Sequence, residues 1–543
     1  MGLELKAEEK SILELFTGDK NQYIIPPYQR PYSWDEEQCE ELFNDLLKAF
    51  EDDKTDSYFL GNIVIASSRE DKNRLEVIDG QQRLTTLTLL IKAFLFFDKD
   101  NKKLENSIWE LDRRTGKKKE QRLKTMVFQE RDAQFLKDAL ELEYEKKNTC
   151  KINKKDNQFK KNICYFYRRL DELEDGILFN FSDFLLDDIS ILPIQTQGDD
   201  KSIARENAIK IFETINDRGL PLSDSDLFKA KLFSNALSWK KTEDFIMRWQ
   251  DLDEQCTLID YSIDAIFKIY TQIIRGEQKI KTTEVGLRDF FNKKEYSPFN
   301  KSDIKYNKIL NEIFKIIDCI SFYQTILENP LEYEDVSKWF QILKEHRNKY
   351  PRTAMFVYLY KNGLDNNDKL IIFSENLIRL AYDKGAKSEL QFKIYELIIK
   401  IIHDELEDYY PSKVKDSDFE SFGILKNGYA LLTFYLQNNQ KVISSYKFDK
   451  IINSKDISNL DDSWNNINFK DYSETLGNIL IIDTIKLRNT TLESKIKCFK
   501  NSNLEEIKEL LPKLSNWTYP KYEERENNLR DRLSSFFRKP DEN

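Results

Sequence analysis

The chain has 543 residues and a formal net charge of −10, with 40% hydrophobic and 33% charged residues. This composition can build a hydrophobic core, so it excludes a wholly disordered chain. The low numbers of glycines and prolines, 15 and 12, favour a helix-dominated protein. The acidic total argues against a protein that simply coats nucleic acid, although it allows a local basic groove.

The six cysteines are scattered along the chain without a CxxC pair. We therefore expect neither a disulfide framework nor a metal site, and we expect a reducing, cytoplasmic setting. The N-terminus has no apolar signal core. The longest apolar stretch, residues 87–97, is interrupted by Lys92 and is far too short for a membrane span, so we expect no membrane partner.

Residues 23–34 are dense in aromatic residues and prolines. They are predicted to be extended, because a residue before a proline avoids the helical region. An apolar stripe that ends at Phe50 predicts the next helix, with Ser33 and Glu36 as its capping box.

Two short apolar runs, 59–66 and 75–78, are typical of buried strands. The polar residues 79–83 break the second run. A long, largely apolar segment that is typical of a buried helix begins at Leu84. The sequence therefore predicts a strand, a short polar loop and a helix in this order.

Two basic stretches lie between residues 110 and 165. Residues 113–124 and 146–161 each hold seven basic residues and one acid. The favoured interpretation is a solvated insertion with mobile tips. The alternative is a phosphate-contacting surface, for which the DNA-binding candidates are Lys117, Lys118 and Lys119.

The rest of the chain predicts an α+β protein in which helices dominate. Residues 189–197 are a strand candidate, residues 204–216 form an amphipathic helix, and Ser223 caps another helix. We predict three parts: an N-terminal domain at 10–235 with a basic insertion at about 110–165, a helical domain at 236–440 and a small α+β domain at 441–543.

The polar loop between the second strand and its helix joins groups that suit a phosphate. The start of a helix offers unpaired N–H groups, and Gly80 allows a tight turn or a close approach to a ligand. Arg83 can bind a phosphate with two parallel hydrogen bonds. Gln81 and Gln82 can hydrogen-bond a sugar, a base or a water, and Asp79 can bind a metal or orient a water. The alternative, with equal weight, is a capped turn with a surface arginine.

Two further polar pairs suit the same ligand. Gln29 and Arg30 lie between prolines and aromatic residues, which we expect to bury them. A buried arginine needs a partner, and that partner is either structural, such as Asp79, or a ligand phosphate. Asn216 and Arg218 stand beside a glycine that fits a left-handed helix C-cap, and they could complete the phosphate site.

Four segments occur in an order that carries a family resemblance: residues 29–34, 59–64, 77–87 and 212–223. Together they closely resemble the N-terminal domain of GmrSD-type restriction enzymes, over about residues 10–235. The resemblance implies a fold like the ParB/sulfiredoxin nucleotide-binding fold, and a role in defence against phage DNA.

The family's IDGQQR loop, which is associated with NTP binding and hydrolysis, is complete in this sequence. The expected cofactors are an NTP whose base the sequence does not identify and, with it, Mg²⁺. The catalytic candidates are Asp79, Gln82 and Arg83. The NTP-binding candidates are Gln29, Arg30, Gly80, Gln81, Asn216 and Arg218.

The C-terminal region, at about 440–543, resembles the family's second domain, a His-Me finger nuclease. Residues 476–480 resemble its LGNL segment. Its downstream pattern is matched by Asn489, Lys495, residues 516–518 and Arg525. The family's His-Ile-x-Pro motif carries the His that activates the attacking water, and the counterpart that begins at Lys450 has neither His nor Pro. We therefore predict a degenerate nuclease-like domain.

The chain has only two histidines. His346 is expected at the surface, in a basic helical end. His403 and Glu407 are expected on an exposed helical face, because a lone pair of ligands without a third is rarely a metal site.

Three hypotheses follow. The leading one is an NTP-binding and NTP-hydrolysing defence protein that acts on DNA, whose nuclease-like domain is inactive and whose active subunit is a separate partner. The second is an NTP-regulated endonuclease that is active on its own. The third is a nucleotide-switched DNA-binding protein without enzyme activity.

Overall fold

The computed structural model describes residues 4–538 except for 19–21, 53–56, 70–72, 113, 128–129, 145–149, 154, 201–202, 206, 209–210, 212–222, 294–297, 301–304, 366–367, 384–387, 407–422, 438–439, 457–458, 466 and 484–490. The chain divides into two compact units, residues 1–251 and 252–543. The helical middle and the C-terminal region both lie in the second unit, and their separation into two domains stays a prediction.

The N-terminal unit is built on one mixed sheet, flanked by helices. Its strands are β1 (Glu4–Ala7), β2 (Lys10–Ser11), β3 (Gln22–Ile25), β4 (Tyr58–Ser68), β5 (Arg74–Asp79), β8 (Leu123–Thr125) and β9 (Ile189–Gly198), in the order β1-β9-β4-β5-β3-β8 with β2 also on β9. A hairpin outside this sheet consists of β6 (Trp109–Leu111) and β7 (Lys118–Gln121). The helices are α1 (Ile12–Thr17), α2 (Glu36–Glu51), α3 (Gln81–Phe97), α4 (Lys102–Ile108), α5 (Glu130–Glu141), α6 (Gln158–Asp171), α7 (Asp175–Asp187) and α8 (Asp224–Ser238). The next helix, α9 (Thr242–Leu258), begins in this unit and ends in the second.

Helix α2 has the predicted apolar stripe but not the predicted cap. Its N-cap is Asp35, which forms the capping box with Gln38. Ser33 lies two residues before this cap, and its backbone N–H donates to the Gln82 side chain.

The basic stretches contribute regular elements to the N-terminal unit. Strand β8 pairs in parallel with β3 in the main sheet. Helix α6 buries Phe159, Ile163 and Phe166 in the core. Lys124 on β8 and Lys160 and Lys161 on α6 therefore lie on elements that are anchored in the core.

The second unit is mostly helical. Its helices are α10 (Ile263–Glu277), α11 (Leu287–Asn292), α12 (Tyr306–Glu328), α13 (Glu334–Glu345), α14 (Tyr350–Asn362), α15 (Asp368–Asp383), α16 (Ser388–Ile402), α17 (Lys426–Tyr435), α18 (Phe469–Tyr472), α19 (Leu492–Phe499), α20 (Glu505–Leu514) and α21 (Tyr519–Phe537), and an antiparallel pair of strands, β10 (Lys447–Lys450) and β11 (Ile479–Ile482), precedes α19. The predicted helix-dominated α+β class is confirmed, and the ParB-like detail stays a prediction.

Within the described residues, no helix combines the length and the apolar character that a membrane crossing requires.

Candidate functional site

The extended segment 29–34 is fastened to both sides of the polar loop by two glutamines. Gln29 Nε2 donates to the carbonyl of Ile78 at 3.0 Å. Gln82 Nε2 donates to the carbonyl of Pro31 at 3.0 Å, and Gln82 Oε1 accepts the backbone N–H groups of Ser33 and Trp34 at 2.9 and 3.2 Å. Both side chains are buried. Their hydrogen bonds therefore hold two distant parts of the sequence together, residues 29–34 and residues 78–82.

Gly80 makes the sharp turn from β5 into α3. Its φ is +88°, in the left-handed region that favours glycine. A Cβ atom at this position would lie 2.4 Å from Cγ2 of Ile63. Glycine is thus required by the backbone conformation and by the close approach to β4.

Arg83 is half-buried beside the turn. Its Nη1 donates to the carbonyl of Asn62 at 2.8 Å, and its guanidinium packs against the Cα of Gly61, where a Cβ would lie 3.5 Å from Nη1. Its other N–H donors make no hydrogen bond to the described residues. Burial lowers the pKa of Arg83, and the charge of Asp79 opposes this shift.

Asp79 lies at the end of β5, between two arginines. Burial raises the pKa of its carboxyl, while the Gly80 N–H, Arg83 and Arg30 oppose the shift. Arg30 itself is exposed, so the expectation that this arginine is buried is wrong. The buried members of the segment are its neighbours Tyr28, Gln29 and Tyr32, and Arg30 points outward between them.

The remaining candidates differ in the contacts that their side chains make. Gln81 is only 7% exposed, and its side chain has no hydrogen bond within the described part of the chain. Both ends of the Gln82 amide hydrogen-bond the 31–34 segment. These contacts are those of a residue that positions this segment. The assignment of Gln82 to catalysis stays a prediction. Asn216 and Arg218 lie outside the described residues.

A buried ion pair beneath the site was not identified from the sequence. Arg205 Nη2 lies 2.8 Å from a carboxylate oxygen of Glu76 on β5, and Arg205 Nε donates to the hydroxyl of Tyr28 at 2.9 Å. On α8, Lys229 Nζ donates to the carbonyl of Gln29 at 3.2 Å. The available signal was a glutamate inside an apolar strand, since such a charge needs a buried partner.

The predicted DNA-binding lysines lie at the β6–β7 hairpin, and all three are exposed. Lys118 Nζ is 3.9 Å from a carboxylate oxygen of Glu105, and Lys119 Nζ is 3.2 Å from one of Asp112. Lys117 has no ion pair within the described residues. Part of the positive charge of the hairpin is therefore already balanced.

Lys118 and Lys119 line a groove of about 820 Å³ at the β8 edge of the sheet, together with Arg74, Lys124 and Lys137. None of the residues 79–83 lines this groove. Arg74 and Asp79 are the two ends of β5, which are about 17 Å apart at about 3.3 Å per residue. The structure does not bring these lysines and the polar loop into one site.

The C-terminal strands and α19 surround a buried ion pair where the resemblance predicts a nuclease centre. Lys495 Nζ is 3.0 Å from Asp449 Oδ1, and both side chains are buried. Lys450, at the position of the family's His, pairs with Glu474. Asn478 Oδ1 accepts the backbone N–H of Ile452 at 2.8 Å. Asn478 therefore holds the β10–β11 loop.

Other predicted residues of this region have mixed outcomes. Arg525 donates to the carbonyls of Gly477 and Ile479, and Asn489 lies outside the described residues. His346 is 1% exposed, so its predicted surface position is wrong.

The buried ring of His346 has hydrogen-bond partners within the second unit. Its two ring nitrogens lie 3.3 and 3.1 Å from the carbonyl oxygens of Asn348 and Ala381. His403 Nε2 lies 3.1 Å from the carbonyl oxygen of Gly276. Glu407 lies outside the described residues.

Comparison with known proteins gives two matches. The model of the GmrSD restriction endonuclease N-terminal domain matches residues 12–233. An uncharacterized protein of Methanocaldococcus jannaschii is 23% identical, with 89% of each chain covered. Because the matched family is one of restriction enzymes, the match indicates a restriction or anti-phage system that acts on DNA. Residues 12–233 of this chain are a GmrSD-type N-terminal domain.

Proposed function

We propose that this chain is the NTP-binding and NTP-hydrolysing component of a restriction system, with a nuclease-like C-terminal region that does not cleave DNA. The observation that carries the proposal is that the opposite charges of Arg83 and Asp79 lie near each other at the start of α3. Most N–H donors of Arg83 are unused by the described residues, although the side chain is half-buried. A buried charge with open donors suits an anionic ligand.

The start of α3 adds to this attraction. Its N-cap is Gly80, which has no side chain to cap the helix. The N–H groups of the first turn therefore stay open to a ligand, and they carry the positive end of the helix dipole. Phosphate oxygens match both the open N–H groups and the guanidinium of Arg83.

The residues around the turn fit an NTP with its metal ion. Arg30 is exposed and near Asp79, so it can bind phosphates from the solvent side. The Asp79 carboxylate is the oxygen ligand that Mg²⁺ would require, and Mg²⁺ would supply charge neutralisation at the phosphates. Gln81 has a free amide with which to bind a sugar, a base or a water.

Two contacts support an inactive nuclease region. Lys450 has a negative partner in Glu474, and an ammonium group in such an ion pair has no lone pair with which to accept a proton from water. Asp449 is engaged by Lys495, so its carboxylate is already neutralised. An active subunit of the same system would then perform the cleavage.

The non-enzymatic alternative is favoured by one contact. Gln82 uses both ends of its amide to hold the 31–34 segment, so it is not free to orient a water for hydrolysis. Under this alternative the site binds an NTP without turnover. Measurements of binding and of phosphate release separate the two functions.

The first experiment replaces Arg83 by alanine. We expect NTP affinity to fall about 10- to 100-fold, because a hydrogen bond to a charged group contributes about 1.5–3 kcal/mol, and phosphate release to disappear. The matched control is Arg69→Ala, which removes an exposed arginine paired with Asp199 on the same unit. Equal binding of a fluorescent NTP by Arg83→Ala and wild type would show that Arg83 does not bind phosphate.

A further inference from the structure

The second unit contains a small cavity with an excess of positive charge. Its volume is about 280 Å³, and it lies between α10 and the start of α14. The cations on its wall are Lys268, Lys349 and Arg352. This volume is near the lower end of the range for small-molecule sites, and it is far too narrow for a nucleic-acid duplex.

These three cations are not neutralised by the described residues. Lys268, Lys349 and Arg352 have no ion pair within this part of the structure. The one acid on the cavity wall, Glu284, accepts Nε2 of Gln272 at 2.9 Å and also hydrogen-bonds the Tyr350 hydroxyl. Three cations therefore share the cavity with one carboxylate that is already engaged.

The helix above the cavity strengthens its positive potential. Helix α14 starts at Tyr350, whose backbone N–H donates to Asn348 Oδ1 at 2.9 Å. The positive end of its dipole lies at the side of Arg352 and Lys349. Because like charges in one concavity repel each other, an anion in the cavity would relieve an unfavourable arrangement.

Aromatic and amide side chains also line the cavity. Tyr261 and Phe356 both line the cavity, with an edge-to-face contact between their rings. Gln272 is 4% exposed, and its Oε1 accepts no hydrogen bond from the described residues. The wall thus offers an apolar surface and an acceptor for an N–H or O–H group.

We propose that this cavity binds a small phosphorylated molecule of about mononucleotide size. Its phosphate would contact Arg352, Lys349 and Lys268. The rest of the molecule would pack against Tyr261 and Phe356. The site consists only of residues of the second unit, so it is independent of the NTP site proposed at Asp79 and Arg83.

The test measures the thermal unfolding of the full chain with AMP, ribose 5-phosphate, inorganic phosphate and adenosine at constant ionic strength. A ligand that binds only the native state raises the unfolding temperature. All variants carry Arg83→Ala, so that the N-terminal site does not contribute. The test variant adds Arg352→Gln. The matched control adds Arg347→Gln, an exposed arginine that does not line the cavity.

We expect AMP to raise the unfolding temperature of the Arg83→Ala chain and of its Arg347→Gln control. We expect about a 10-fold or greater loss of AMP affinity in the Arg352→Gln variant, and weak binding of adenosine. Because Arg352 has no partner among the described residues, its replacement should leave the stability without ligand unchanged or higher.

Two results would overturn the proposal. One is the absence of a stabilising effect from every phosphorylated compound. The other is a stabilising effect that persists in Arg352→Gln. Inorganic phosphate that binds as tightly as AMP would contradict the role of the aromatic wall. A failure of the N-terminal site appears separately, as an NTP affinity that Arg83→Ala leaves unchanged.

Discussion

The surroundings of Asp79 disfavour the charged form of its carboxyl. Burial raises the pKa of its carboxyl even though two arginines and the Gly80 N–H oppose the shift. A carboxyl whose pKa is raised in the folded state stabilises the fold least when it is ionised. Such a group at the end of a strand is more easily explained by a ligand than by stability.

We therefore expect Asp79→Asn to stabilise the chain at neutral pH and to abolish NTP turnover. The gain should shrink as the pH falls through the raised folded-state pKa and vanish below the ordinary aspartate pKa of about 3.9, because the wild-type carboxyl is then neutral in both states. The measurement is urea unfolding across this pH range. Asp112→Asn is the control of opposite sign, since hydrogen bonds from Thr115, Lys119 and Arg114 lower the pKa of Asp112. A loss of stability in Asp79→Asn at neutral pH contradicts the argument.

At this scale the sequence identified the loop but not the roles within it. A strand, a glycine and a helix in succession place Asp79 and Arg83 at a turn. The partners of Gln29 and Gln82 could not be predicted, because Gln82 bonds residues 31–34, about fifty positions upstream. The exposure of Arg30 could not be predicted either, because the side-chain directions of an extended segment depend on what packs against it.

The turn into α3 depends on glycine for two separable reasons. Gly80→Ala forces a left-handed conformation and a contact with Ile63. Gly116 also has a positive φ, of +65°, but no described atom lies within 4 Å of its added Cβ. We expect Gly116→Ala to cost about 1–2 kcal/mol and Gly80→Ala to cost about 1–3 kcal/mol more, from overpacking. Chemical denaturation of both variants checks this, and equal losses of stability would rule out the contact with Ile63 as a cause.

Elements with a clear apolar pattern were predictable, and those without one were not. Helix α3 is apolar along most of its length, so the sequence alone was sufficient to predict a buried helix at this place. Strand β8 has three residues, and only Leu123 and Thr125 are buried. The run of charges that precedes it, at residues 117–122, obscures so short a pattern. The strand forms because its neighbour β3 supplies the hydrogen bonds.

The β6–β7 hairpin gives the DNA prediction a structural form. Replacing Lys117, Lys118 and Lys119 together by alanine should reduce the salt dependence of duplex DNA binding, by up to about 0.9 in slope for each lost phosphate contact. The pairs of Lys118 with Glu105 and of Lys119 with Asp112 must open first, so a smaller change is expected. The control replaces three exposed lysines of the same unit: Lys99, Lys102 and Lys103. An identical slope in the two triple variants would leave the hairpin without a role in DNA binding.

Across the whole molecule, the C-terminal region retains a folded scaffold without the base that the resemblance predicts. Asn478 joins the β10–β11 loop, and Arg525 binds the carbonyls of Gly477 and Ile479. These contacts stabilise the loop. A sequence match to the scaffold is therefore compatible with lost chemistry, because scaffold and base are different residues.

We accordingly expect no cleavage of plasmid or modified phage DNA by this chain alone, with magnesium or manganese, at any NTP concentration. A His-Me finger needs a group that accepts a proton from water near neutral pH. Lys450 is held by Glu474 in an ion pair. Asp449, the nearest carboxylate in the strand, is buried against Lys495. Neither side chain is free to act as the base.

The variant that decides this test is Lys450→Ala, measured beside Asn478→Ala. Lys450 and Glu474 form a partly exposed pair, so Lys450→Ala should leave the fold intact. Asn478→Ala removes the contacts of the β10–β11 loop and should disturb the fold, which makes it unsuitable as the only control. Metal-dependent cleavage by the wild type that disappears in Lys450→Ala would establish an active nuclease in this chain. Cleavage that persists in both variants would come from a contaminating enzyme or from residues outside the β10–β11 region. The inactive scaffold requires that a preparation free of contaminating nucleases shows no cleavage.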